Sequence, residues 1–140
     1  MPTTRHRRRS LLALGFLVPA LMTLAACGSS SKPAAARPTT TARLQIVSPA
    51  ANEVTGSNID LKLDLIGARI VQQTSGPLSP TEGHIHVSVD GKLVSMAYGT
   101  EQPVTGLTPG SHLVQAEFVA TDHAPFKNRV VAAVMFTVGP

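Results

Sequence analysis

The segment EGHIHVSVDG, Glu82 to Gly91, places two histidines two residues apart, His84 and His86. His112 and His123 follow further along the chain. Neutral imidazole nitrogens are good ligands for zinc and copper. Two residues apart on a strand, both rings project from one face with Cα atoms about 6.5–7 Å apart. That spacing suits two ligands of one ion. A third ligand is then required, and the candidates are His112, His123, Glu82, Glu117 and Asp122. The competing reading makes the pair part of a polar strand face, bonded to neighbouring backbone and carboxylates. Other chemistries have less behind them. There is no G-x-S-x-G nucleophile elbow and no phosphate-cradling glycine loop between a strand and a helix. The one cysteine, Cys27, lies far from the histidines in the chain. No motif speaks for an enzyme, and the chain is expected to be non-catalytic.

The elements that must position these rings alternate with period two. In NIDLKLDLI, Ile59, Leu61, Leu63 and Leu65 share one face, while Asp60, Lys62 and Asp64 take the other. In HIHVSVDGKLVSM, Ile85, Val87 and Val89 point one way and His84, His86 and Ser88 the other. Asp90-Gly91 then supplies a tight hairpin turn. Val114, Ala116, Phe118 and Ala120 share a parity, as do Val130, Val134, Phe136 and Val138. Gly and Pro punctuate the intervals at Pro49, Gly56, Gly76-Pro77, Pro80, Pro103, Pro109-Gly110 and Pro125. About seven short strands with frequent turns predict an all-β, antiparallel β-sandwich.

Parity divides the histidines. His112 shares its side with Val114, Ala116 and Phe118 and so points inward, away from His84 and His86. Glu117 points outward, which makes it the better-placed partner of His86. His112 can serve as a corner residue whose ring nitrogen satisfies a turn carbonyl; His123 falls in a loop. Tyr98 and Phe126 also fall in loops, free to contact a partner or to cover the ends of the core.

LTPGSHLVQAEFVATD, Leu107 to Asp122, and VSPAANEVTGSNIDLKLDL, Val47 to Leu65, resemble bacterial immunoglobulin-like and fibronectin-like domains. The resemblance implies an immunoglobulin-like β-sandwich over residues 43–140. It departs from that pattern in lacking a core Trp and a disulfide, and in setting His112 where the corner Tyr would stand. GHIHVSVDG with LTPGSHLVQAEFVATDHAPF is also similar to small exported bacterial domains with a GHHH…DG segment and a PGxH turn, which implies a pattern and no activity. Asp122-His123 followed by VMFTV resembles the end of periplasmic copper-resistance proteins, whose histidine near the mature N-terminus has no counterpart here.

The N-terminus carries an address. Arg5, Arg7, Arg8 and Arg9 precede the apolar run Leu11–Ala26, which is short for a span of the bilayer. A basic region, an apolar region and small residues before a cut make a secretory signal over residues 1–26. RRRSLL also resembles a twin-arginine export signal. LAAC, Leu24 to Cys27, resembles the lipobox of bacterial lipoproteins, which implies lipidation of Cys27 as the first mature residue. Several acyl chains would hold a domain at a membrane. Residues 28–42 are rich in Ser, Ala, Pro and Thr and read as a flexible linker.

The net charge of +4 belongs largely to the leader. Removing its four arginines from the 12 basic residues leaves eight against eight acids. That balance offers no basic footprint for nucleic acid. Together these features predict a monomeric lipoprotein anchored at the extracytoplasmic face of the cell membrane. Its expected role is a non-catalytic module that binds an envelope protein partner. The alternative is a copper or zinc binding or buffering protein built on His84 and His86 with Glu117, His112 or His123.

Overall fold

The computed structural model describes residues 36–140. The segment expected to be a signal peptide, Cys27 and the expected linker up to residue 35 lie outside the described residues. Within them the regular elements are β1 (Arg43–Ser48), β2 (Val54–Thr55), β3 (Ile59–Ile66), β4 (Arg69–Ile70), β5 (Glu82–Val89), β6 (Lys92–Ser95), β7 (Glu101–Val104), β8 (Gly110–Ala120) and β9 (Pro125–Val138). No helix among them is long and apolar enough to cross a membrane. The strands form two sheets, ordered β1-β3-β7 and β2-β9-β8-β5-β4, with β6 pairing β5 from the side. Most pairs are antiparallel; the two-residue elements β2 and β4 pair parallel to β9 and β5. These two short pieces account for the excess over the seven or so strands expected.

The alternation decides what is buried. Ile59, Leu61 and Leu63 of β3 face Ile85, Val87 and Val89 of β5, with Val114, Ala116 and Phe118 of β8 and Val130, Phe136 and Val138 of β9. Fully burying side chains of this size stabilises the fold by roughly 1.5–3 kcal/mol each relative to exposure. Phe126, read from sequence as a loop residue, is 2% exposed and stacks on Phe118 with ring centroids 5.2 Å apart. It opens the long strand β9 rather than preceding it, so its ring falls on the core side. The turn at Asp90-Gly91 has φ of 51° and 79°, the left-handed pair that a two-residue hairpin needs.

The linker ends earlier than composition suggests. Arg37 to Ala42 run beside the start of β9 instead of standing clear of the domain. The Lys127 N–H donates to the Pro38 carbonyl at 2.9 Å, the Thr40 N–H to Asn128 Oδ1 at 2.9 Å, and Asn128 Nδ2 to the Thr40 carbonyl at 2.7 Å. Thr40 and Ala42 are buried. Hydrogen bonds to the Lys127 backbone and the Asn128 side chain, which composition does not register, bring these residues into the body.

Gly83 marks where β5 and β8 come closest. It pairs with Ala120, and a Cβ placed on it would lie 1.9 Å from the Val119 carbonyl oxygen. Since that oxygen is backbone, the strands themselves would have to move apart. Gly83→Ala is therefore expected to destabilise the domain by about 3 kcal/mol or more, as the midpoint of urea unfolding will show.

Candidate metal centre

Strand β5 presents His84 and His86 on the outer face of the larger sheet, opposite Val119 and Glu117 of β8. Beyond Val119 the β8–β9 hairpin departs from regular pairing, with a register shift between Phe118 and Val119. The turn closes through His123 N–H to the Ala120 carbonyl at 3.0 Å and Ala120 N–H to the Ala124 carbonyl at 3.1 Å. His123 adopts φ +63°, a left-handed conformation in which histidine is enriched among non-glycine residues. This turn folds the His123 ring back over the β5 pair.

Three ring nitrogens meet there. His84 Nε2 lies 3.0 Å from His86 Nε2 and 2.9 Å from His123 Nδ1, and the last two are 3.3 Å apart. Each neutral imidazole has one N–H and one lone pair. Three nitrogens in mutual contact cannot all be satisfied by one another: whatever the tautomers, one contact pairs two lone pairs or two hydrogens. A cation resolves the conflict by accepting all three lone pairs. With metal–nitrogen bonds of about 2.0–2.1 Å and tetrahedral angles, ligand nitrogens sit about 3.3 Å apart, close to the spacing found.

Burial is graded across the cluster. His84 is fully buried, His86 half-buried and His123 exposed. His84 is covered on its outer side by His123, with ring centroids 4.3 Å apart, and by Tyr98 at 5.3 Å. Tyr98, expected to be a free loop residue, is thus part of the wall of the site. Its segment is held by Gln102 Nε2 donating to the Gly99 carbonyl at 3.0 Å. Burial, then the neighbouring His123 and His86, lower the His84 pKa to about 4. Burial also lowers that of His86; His123 adds to the effect and Glu117 opposes it. Both rings are therefore held neutral at pH 7, the form that binds metal. His84 Nδ1 is buried without a protein partner.

The carboxylates named from sequence do not join the cluster, because each is held by an arginine. Glu117 receives Arg129 Nε at 2.7 Å and Nη2 at 2.6 Å, a two-point pair. Glu82 pairs with Arg69, and Asp122 with Arg37. Glu117 stands opposite His86 as parity predicts, yet its oxygens are turned to Arg129. The converging set is all imidazole.

His112 also stays apart. It points inward at the far end of β8, with Nε2 2.7 Å from the Thr108 carbonyl and Nδ1 2.7 Å from Asp90 Oδ2. Both partners only accept, so the geometry favours the imidazolium, which donates from both nitrogens. The bond to Thr108, then the bond to Asp90, raise its pKa. A group whose folded pKa is raised contributes stability below its unfolded value of about 6.5, lost as pH climbs through the folded value. His112→Ala is accordingly expected to cost about 1.5–3 kcal/mol at pH 6 and less at pH 9. Metal uptake should be unchanged.

No protein-family model matches the chain, and no curated protein matches it. Among solved structures it is similar to the fibronectin(III)-like modules of CbhA from Clostridium thermocellum, with a TM-score of 0.50 and 18% identity over 69% of this chain and 94% of that one. It also matches the PKD domain of human KIAA0319, with a TM-score of 0.46 and 12% identity over 79% and 92% of the two chains. CopC from Methylosinus trichosporium aligns at a TM-score of 0.37 and 22% identity over 70% and 95%. The likeness to the fibronectin-like modules shows the fold, an immunoglobulin-like β-sandwich, and says nothing of the histidines.

Proposed function

We propose that this chain is a non-catalytic copper- or zinc-binding module whose ligands are His84, His86 and His123. The observation that carries this reading is the triangle of ring nitrogens 2.9–3.3 Å on a side, in which mutual hydrogen bonding leaves one contact repulsive. Three neutral nitrogen ligands suit Cu(II) or Zn(II), with Cu(II) bound the more tightly of the two. The ligand on the open side, His123, is exposed, so a fourth position faces solvent and an ion can enter and leave. That favours buffering or delivery over permanent storage. The lipobox resemblance at Cys27 adds a lipid anchor, which would keep the module at the extracytoplasmic face of the membrane; Cys27→Ala should release it as a soluble or unprocessed form.

Isothermal titration of the full chain in detergent tests the reading. Uptake of one Cu(II) or Zn(II) at micromolar affinity or tighter is expected, abolished by His84→Ala/His86→Ala. No uptake above micromolar metal would overturn it. Binding of a protein partner has one observation of its own. Leu113 and Met135 face each other across β8 and β9 and remain 41% and 56% exposed on the outer face. A partner seated there would be retained in the presence of a chelator.

A further inference from the structure

Arg37 reaches from the linker to the turn that carries His123. Its guanidinium donates to the Pro125 carbonyl through Nε at 2.8 Å, to Asp122 Oδ2 through Nη1 and to the Ala124 carbonyl through Nη2. These acceptors bracket His123 in sequence. The same turn has His123 at φ +63°, and the Asp122 side chain accepts the Ala124 N–H at 3.2 Å. One side chain, 85 to 88 residues away in the chain, thus ties together the oxygens around the only exposed ligand. Behind it, Pro38 and Thr40 are bonded to Lys127 and Asn128 at the start of β9.

We infer that Arg37 is the positioning residue of the metal centre: docking of the linker holds the His123 ring over His84 and His86, and metal binding in turn holds the linker docked. The inference rests on the three-histidine reading and adds its regulation. Two equilibria share one element, the Asp122–Pro125 turn. Whatever factor linker docking adds to metal affinity, metal adds to docking. An undocked Arg37–Ala42 would free about 20 Å of chain, at 3.3–3.6 Å per extended residue. Metal loading therefore favours the docked segment, and pulling the segment away loosens the metal.

The test uses the full chain in detergent, with Cu(II) and Zn(II) as probes. Arg37→Ala is compared with Arg69→Ala, which removes the ion pair to Glu82 and leaves the bonds around His123 in place. Wild type and Arg69→Ala are expected to give the same Cu(II) affinity and a paramagnetic resonance spectrum with three coupled nitrogens. Arg37→Ala is expected to lose tenfold or more in affinity and to show two. Zn(II) should slow amide exchange at Thr40 and Lys127 by a similar factor in wild type and not in Arg37→Ala. If Arg37→Ala keeps the three-nitrogen spectrum and its affinity, or if Zn(II) leaves the exchange unchanged in wild type, the coupling is overturned while the metal site stands. A wild type with no three-nitrogen spectrum overturns the metal reading itself and this inference with it.

Discussion

His123→Asn lowers Cu(II) and Zn(II) affinity by about a hundredfold or more, equivalent to about 2.8 kcal/mol, while metal-free stability changes by only about 1 kcal/mol. The choice of asparagine follows from the backbone. His123 stands at φ +63°, where alanine would be strained and asparagine is tolerated. The substitution removes the ring nitrogen and keeps the turn. Its amide oxygen is a harder donor and a poor replacement toward copper or zinc. The ring is exposed on its outer side, so the packing lost with it is its contact with His84. The readout is thermal. At free metal a hundred times the dissociation constant, the wild type gains about 2.7 kcal/mol, a rise of roughly 10–20 °C for a body of this size. His123→Asn should show almost none of that rise at the same metal concentration. A full rise in the variant would mean that the ion sits elsewhere.

Acid should weaken the metal-free domain through His84. The unfolded ring titrates near 6.5 and the folded one near 4, because burial and the facing rings of His123 and His86 oppose its charge. Between those values the unfolded chain binds a proton that the folded chain does not. Stability is therefore full above about pH 6.5 and is lost as pH falls toward 4, by an amount on the order of 2–3 kcal/mol. Within the same cluster, His86 contributes in the same direction, and Glu117 opposes it at His86. His112 works the other way, since its raised pKa makes it most stabilising in acid. His84→Leu separates the terms. In chelator, the variant should keep most of the stability that the wild type loses between pH 6.5 and pH 4, measured by urea unfolding at each pH. Parallel pH curves for the two proteins would refute the assignment. The same depressed pKa means that protons compete with metal at His84 only in more acid solution than for an ordinary histidine.

Much of the body is legible in the chain itself. Alternation in NIDLKLDLI and HIHVSVDG states which side chains face the core, because a strand turns successive residues to opposite faces. The Asp90-Gly91 hairpin follows from the need for left-handed φ at both central positions. Parity also separates His112 from the β5 pair, and its ring meets a turn carbonyl at the corner.

The third histidine of the cluster is not legible in this way. Period-two reasoning stops where the strand stops. Whether His123 reaches His84 and His86 depends on a register shift at Phe118–Val119, on a turn with a left-handed histidine, and on Arg37 bonded around that turn. Glu117 illustrates the reverse case. Its position opposite His86 is foreseeable, but its pairing with Arg129, twelve residues on, is a matter of side-chain geometry. His84 shows the same division: parity sends it to the outer face, and only the folded turn and Tyr98 bury it there. Local sequence determines direction along a strand, since that is a property of the backbone. The meeting of three rings from two elements is a property of how the chain returns on itself, and tertiary structure alone decides it.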